Sequence, residues 1–223
     1  MKREVLVLGA GKIGGAIVDL LHATGDYRIT LADSDAAFLA QSAGQKAVAK
    51  TVDVSDRKAL ADLLKGKQAA LSALPFFLNP AVAEACAEAG VHYFDLTEDV
   101  ETTRAVRRVA EGSKVAFVPQ CGLAPGFISI VAYHLAKKFD SLRTLQMRVG
   151  ALPQFPANAL KYNLTWSTDG LINEYCNPCE ALHDGRMVEM MPMEGLEHFS
   201  LDGIDYECFN TRLTSPCAST TAG

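Results

Sequence analysis

The chain opens on a short apolar run at residues 4–8 (EVLVL), halted by Gly9, which predicts a buried strand. Residues 12–23 then carry Ile13, Ala16, Ile17, Leu20 and Leu21 at helical spacing, with Gly25 placed to cap the end. Residues 27–32 (YRITLA) are β-branched and short, a second strand, and 34–43 are alanine-rich and helical. Residues 47–54 predict a third strand, after which Ser55 or Asp56 caps a helix running to 64. A strand at 68–74 ends at Pro75, and Asn79-Pro80 opens the next helix with proline in its first turn. A strand at 91–96, a helix at 98–111 closed by Gly112, and a strand at 114–118 continue the series. A helical pattern at 124–138 lies behind a turn built from Gly122, Pro125 and Gly126. Strands separated by helices at this spacing predict an α/β fold, a doubly wound and mostly parallel Rossmann sheet with helices on both faces.

After about Phe139 the texture changes. Residues 144–152 and 160–167 alternate like antiparallel strands, and 169–176 fit one short helix. Asp184-Gly185 and Asp202-Gly203 sit between strand-like runs and read as hairpin turns. The division expected is therefore a Rossmann domain over 1–140 and an α+β domain over 141–223. No solenoid-type repeat is visible. Beyond Thr211 the text shows no strand or helix period, so the second domain is expected to be incomplete, as in a truncated or frameshifted chain, with an unpaired strand edge.

Composition narrows the class. A length of 223 residues suits one domain plus part of another, and 49% hydrophobic with 21% charged residues excludes a disordered chain. Net charge is −5 and the Lys and Arg residues are scattered, which argues against nucleic acid as a partner. Residues 5–8 are too short an apolar run for a signal peptide, and no 18-residue apolar stretch predicts a membrane span. Six cysteines spread through apolar segments suit a reduced, cytoplasmic protein. Cys176 and Cys179 form a C-x-x-C, yet no second pair follows, and His183 and His198 are not at ligand spacing, so no metal is expected.

The chemistry begins at Gly9-Ala10-Gly11-Lys12-Ile13-Gly14, a G-x-G-x-x-G that follows the first strand and opens the first helix. Gly9 permits the tight turn, Gly11 lets backbone approach a pyrophosphate, and Gly14 allows close helix–strand packing. The diphosphate would rest on the helix N-terminus, with Lys12 and Ile13 in its first turn. Asp33 falls 19 residues after Gly14, at the end of the second strand, where a carboxylate accepts from ribose hydroxyls and repels a 2′-phosphate. No Arg occurs in Ser34-Asp35-Ala36, so NAD is preferred to NADP. Asp53 and Val54, ending the third strand, are candidates for the adenine edge, with a turn-forming Asp the competing account of Asp53. Ala73, Leu74 and Pro75, after the fourth strand, are candidates to line the nicotinamide half, because ligands of open α/β sheets bind beyond the carboxyl ends of strands.

Three further segments carry a resemblance. Gly122-Leu123-Ala124-Pro125-Gly126, SALPFFLNP at 72–80 and KYNLTWSTDGLINEYCNP at 161–178, with the glycine loop, resemble the saccharopine dehydrogenase-like family, and within it the lysine 6-dehydrogenases. The resemblance spans residues 3–211. It implies NAD(P)-dependent hydride transfer at a C–N bond of an amino acid, with lysine ε-deamination the first reading and saccharopine reduction or cleavage the alternative. It also implies a second domain that carries substrate and dimer contacts, hence a homodimer where that domain is complete. A non-catalytic NAD-binding module is the reading from another class.

Candidate reactive groups follow. Asp95, ending the fifth strand, faces the cofactor mouth by strand-end logic and is the catalytic candidate, unless it serves the turn or cap before the helix near Glu98. Lys161 and Tyr162 match recurring family positions; Lys161, a second catalytic candidate, suits a carboxylate unless it is an exposed strand lysine, and Tyr162 is a substrate candidate. Trp166, the lone tryptophan, suits a wall for an aliphatic chain or a core anchor. Asn79 is either a ligand group or a helix cap, and His134 is expected in the core.

Overall fold

The computed structural model describes residues 2–150, 152–155, 157–158, 163–164, 167–211 and 217–219, the last three as backbone only. Its first half follows the alternation in order: β1 (Arg3–Leu8), α1 (Lys12–Thr24), β2 (Tyr27–Asp33), α2 (Ala36–Ala43), β3 (Val48–Thr51) and α3 (Arg57–Leu64). Then come β4 (Ala69–Ser72), a 3-10 turn (Phe76–Leu78), α4 (Asn79–Ala89), β5 (His92–Asp95), α5 (Val100–Ala110) and a two-residue β6 (Phe117–Val118). All six strands are parallel, in the order β3-β2-β1-β4-β5-β6. The order reverses between β1 and β4, the crevice in which such sheets bind ligands.

The side-chain alternation of β1 explains the two layers. Val5 and Val7 join one buried cluster with Val18, Ile29, Leu31 and Leu39. Leu6 and Leu8 point the other way, into a cluster with Leu60, Leu64, Val82, Tyr93 and Val106. A strand covered on both faces needs apolar side chains at every position, which is why EVLVL reads as a continuous run. Local chemistry sets the helix ends. Gly25 adopts φ 76° to close α1. Of the two caps considered for α3, Asp56 is the one formed: its Oδ1 accepts from Lys58 N at 2.9 Å and Ala59 N at 3.1 Å. Asp35 caps α2 and Asp99 caps α5 in the same way.

The chain divides into two compact units at Cys121–Gly122, ahead of the boundary expected at 140. The difference is α6 (Phe127–Ala136), which the alternation assigned to the Rossmann half. Only Ala132 of α6 is buried, and neither core cluster includes it. His134, expected in the core, is exposed. The second unit continues with α7 (Thr168–Cys176), β7 (Cys179–His183), β8 (Arg186–Met190), β9 (Glu197–Leu201), β10 (Ile204–Cys208) and β11 (Cys217–Ser219). Both hairpins form where the Asp-Gly pairs predict them. Asp184 and Gly185 have φ 49° and 74°, and Asp202 and Gly203 have 51° and 78°, the two successive positive values that tight hairpin turns require.

Two expectations for this half fail. Residues 144–150 alternate but form no strand, although the Gln146 and Arg148 side chains reach Glu197 on β9. The tail, expected to be without structure, carries β11, which pairs in parallel with β7. The segment expected as a strand over 160–167 lies mostly outside the described residues; its last residue, Ser167, caps α7 by accepting from Gly170 N at 3.2 Å.

Candidate dinucleotide site

The glycine loop is built at the carboxyl end of β1. Gly9 has φ 94°, and its N–H donates to Ala32 O at 2.8 Å, so the turn is tied to β2. A Cβ on Gly9 would stand 2.7 Å from Ala73 O, and one on Gly14 would stand 1.8 Å from Gly9 O. Both glycines are therefore required by the packing of loop against loop and helix. Gly11 differs, since a Cβ there would meet nothing within 4 Å. It is the N-cap of α1, in extended backbone, with no side chain capping it and no acidic residue in the first turn. Lys12 and Ile13 are exposed in that turn. Open space over Gly11, free N-terminal N–H groups and the helix dipole together suit a phosphate anion.

Asp33 ends β2 half-buried, and its carboxylate is fixed from two sides. Oδ2 accepts from Ala10 N at 2.6 Å and Oδ1 from Asp35 N at 2.8 Å. Ser42, which no sequence signal picked out, adds a second tie: its Oγ donates to Ala10 O at 2.7 Å. Ala73 closes the loop's other side, with its N–H donating to Leu8 O at 2.8 Å. Gly9, Gly11, Gly14, Asp33 and Ala73 thus come together at the β1–β4 crevice, and a dinucleotide fits the cradle that Gly11 leaves open.

Other expected residues stand elsewhere or act otherwise. Leu74 packs against the core, and Pro75 precedes the 3-10 turn. Val54 is itself buried in the core, so it presents no side chain to a ligand. Asp53 is exposed, and its Oδ1 accepts from Ser55 N at 2.9 Å and Ser55 Oγ at 2.7 Å. Those two bonds hold its carboxyl below the usual range, the signature of a turn-forming Asp. Asn79 is the first residue of α4 rather than its cap, and its Oδ1 accepts from Ser72 Oγ at 2.7 Å, both residues being buried. Lys161, Tyr162 and Trp166 lie outside the described residues.

Asp95, for which strand-end logic offered the cofactor mouth and the turn before α5 the alternative, has an exposure of 0%. Oδ1 accepts from Thr97 N at 2.9 Å and from Gln120 N at 3.1 Å, and Oδ2 accepts from Tyr93 Oη at 2.7 Å. Burial pushes its carboxyl up, and the three donors pull against that. Burial and the neighbouring Asp95 charge push the Tyr93 hydroxyl up. The Cys121 thiol is raised by burial first and by Asp95 second. Tyr93 and Gln120 join the list of residues that motif reading missed.

A groove of about 510 Å³ runs between Gly90 and Lys114, at the amino ends of β5 and β6, so it lies at the opposite edge of the sheet from the glycine loop. Among the described residues no group of three His, Cys, Asp or Glu side chains could hold a metal ion, and no helix is long and apolar enough to cross a membrane.

Comparison with known proteins agrees with this geometry. The family model described as "Saccharopine dehydrogenase NADP binding domain" matches residues 5–118, and "Saccharopine dehydrogenase C-terminal domain" matches residues 122–219. The mitochondrial alpha-aminoadipic semialdehyde synthase of Rattus norvegicus is 27% identical over 198 residues, covering 85% of this chain and 21% of that protein. The saccharopine dehydrogenase (NADP+, L-glutamate-forming) of Saccharomyces cerevisiae is 24% identical over 226 residues, covering 95% and 50%. The apo structure of the histidine-tagged yeast saccharopine dehydrogenase (L-Glu forming) superposes with a TM-score of 0.71 at 21% identity, covering 94% of this chain and 50% of that one. This chain therefore spans about half the length of the yeast relative and about a fifth of the rat one.

Proposed function

Because the chain belongs to the saccharopine dehydrogenase family, we propose that it is an oxidoreductase acting on the CH–NH group of an amino acid, with NAD as its cofactor. The observation that carries the cofactor reading is the fixed Asp33 carboxylate beside the open backbone at Gly11. A bound nicotinamide dinucleotide supplies the hydride acceptor. The chain's own part is to hold it: Gly11 and the first N–H groups of α1 receive the diphosphate, and Asp33 receives the ribose hydroxyls on its remaining lone pairs. NADP appears in the family description and in the yeast relative's name, and it is said of those proteins. Here the position that would meet a 2′-phosphate holds a carboxylate, and residues 34–36 offer no cation.

For the substrate, the segment resemblance supports lysine, and the name of the yeast relative supports saccharopine, its secondary-amine adduct with a dicarboxylic acid. In either, hydride leaves the carbon that bears nitrogen, the nitrogen loses a proton, and water adds to the resulting C=N bond. The spread of the cysteines through apolar segments supports a reducing compartment such as the cytoplasm.

The test is a titration of the purified chain with NAD and NADP, beside a steady-state NADH assay with lysine and with saccharopine. Tighter NAD binding and turnover of one amine are expected. Equal affinities overturn the Asp33 reading. NAD binding without turnover of either amine leaves a binding module.

A further inference from the structure

Asp95 is too well occupied to be the base its position suggested. A proton acceptor must reach the atom it deprotonates, within hydrogen-bond distance or through one water. Asp95 has no exposure, and three of its roughly four lone-pair sites already accept from Thr97 N, Gln120 N and Tyr93 Oη. What those donors share is their place. Thr97 lies in the loop that leaves β5, and Gln120 in the segment that leaves β6. The Asp95 main-chain carbonyl accepts a fourth bond, from Cys121 N at 2.7 Å. One residue therefore ties together two loops at the carboxyl edge of the sheet, both within the first unit.

The tie has work to do at Gln120, a non-glycine residue at φ 62°, a left-handed conformation that a side chain rarely adopts unless its surroundings impose it. The two bonds from Gln120 and Cys121 to Asp95 lie on either side of that peptide. Beyond Thr97 the loop stays buried through Glu98 and Asp99, whose side chain caps α5. The short β6, two residues long, gives this edge little ladder of its own.

We propose that Asp95 is a positioning residue, which fixes the loops at 96–99 and 119–121 as the floor on which the ring half of the dinucleotide and the amine substrate are set. This role rests on the dinucleotide reading above. It separates from that reading because the glycine loop is held through hydrogen bonds of Asp33, Ser42 and Ala73, none of which runs to the Asp95 side chain. Loss of the tie should then spare nucleotide binding and strike the reaction step.

Asp95→Asn and Asp95→Ala distinguish positioning from proton transfer. Asn keeps one carbonyl oxygen for Thr97 and Gln120 and offers an amide to the Tyr93 hydroxyl, which can accept. It cannot act as a base. The measurements are amide hydrogen exchange at Thr97, Gln120 and Cys121, the Kd for NAD, and kcat and KM. Expected for Asp95→Ala is exchange at least about 10-fold faster at those three amides, with kcat falling while the Kd stays within about 2-fold. Expected for Asp95→Asn is protection like wild type and kcat within about 10-fold of it, a rescue that a lost base does not allow. Asp95→Asn with intact protection and kcat down by 100-fold or more overturns the proposal, and this arm decides even where Asp95→Ala fails to fold. If the wild-type chain turns over neither amine, the functional reading fails alone. Exchange then decides here: unchanged protection in folded Asp95→Ala overturns the tie, and lost protection with unchanged NAD affinity supports it.

Discussion

Gly11 and Gly14 stand three residues apart in one motif, yet the structure assigns their lost Cβ atoms to different partners. In Gly14→Ala the new methyl would lie 1.8 Å from Gly9 O, where ordinary contact begins near 3.5 Å. The atom in the way is backbone, held by the Gly9 N–H bond to Ala32 O at 2.8 Å, so no side chain can rotate aside. Overpacking of this kind costs about 1–3 kcal/mol, and an immobile partner places it at the upper end. At about 2–4 °C per kcal/mol for a chain of this size, Tm should fall by about 6–12 °C. In Gly11→Ala the methyl meets nothing within 4 Å and the backbone is extended, so the folded chain accepts it. Gly outranks Ala at an N-cap, so the change costs about 0.5–1 kcal/mol and Tm should fall by only about 1–4 °C. The methyl instead occupies the space of the diphosphate, and NAD affinity should fall about 10-fold or more, near 1.4 kcal/mol. A melting scan with and without NAD reads both effects. At about 100 times the wild-type Kd, NAD stabilises wild type by about 2.7 kcal/mol, and the same concentration stabilises a 10-fold weaker Gly11→Ala by only about 1.4 kcal/mol. A full NAD-induced shift in Gly11→Ala would refute the phosphate assignment. A wild-type Tm in Gly14→Ala would refute the packing argument.

Three other outcomes follow from the carboxylates and thiols. Asp33→Asn keeps an acceptor for the Ala10 N–H but drops the charge, so discrimination against NADP should weaken, and Asp33→Ser with Ser34→Arg should reverse it in a paired titration. Asp53→Ala should leave NAD affinity unchanged, because the carboxylate serves Ser55; its value is lowered in the fold, so the small stability it gives is present above about pH 4 and is lost as pH falls through the folded value. Burial pushes the Cys86 thiol up to about 12, above the unfolded value of about 8.5, so stability held below about pH 8.5 should decline as pH rises toward 12. Urea midpoints at pH 7.5 and 9.5 should fall less in Cys86→Ala than in wild type, and equal falls would count against the burial account.

The six-strand alternation was legible because β1, β2 and β4 carry apolar runs and the helices between the strands carry their own period. The glycine loop was legible because its chemistry is local, confined to six residues and one strand end. The burial of Asp95 had a signal of its own. Val91, Tyr93 and Asp95 alternate on one face, and Val91 and Tyr93 are buried in the core cluster, so period two already placed Asp95 on the core side. Its partner Gln120, 25 residues on, required the fold. For α6 the apolar pattern predicted a buried face, but period alone cannot say against which core a helix lies, and the boundary moved to Cys121–Gly122 for that reason. The run at 144–150 shows the converse: alternation describes side chains, and here two of them reach Glu197 on β9 while the backbone joins no strand.

Asp33, Asp53 and Asp95 began as equivalent, each a carboxylate at or just past a strand end on the ligand edge of the sheet. Environment separates them. Asp53 is exposed and spent on Ser55, which lowers its carboxyl; an exposed turn residue with its own local donors has no reason to seek a ligand. Asp95 is sealed, raised by burial and occupied by three donors from two loops, so it can shape the edge without meeting what binds there. Asp33 alone is half-buried and bonded to the glycine loop itself, through Ala10. Each of its oxygens accepts one backbone N–H, which leaves lone pairs on both. A group that is fixed by the phosphate loop, charged, and still able to accept is the one of the three whose replacement should change which dinucleotide binds, while replacement of Asp95 should change what happens after it has bound.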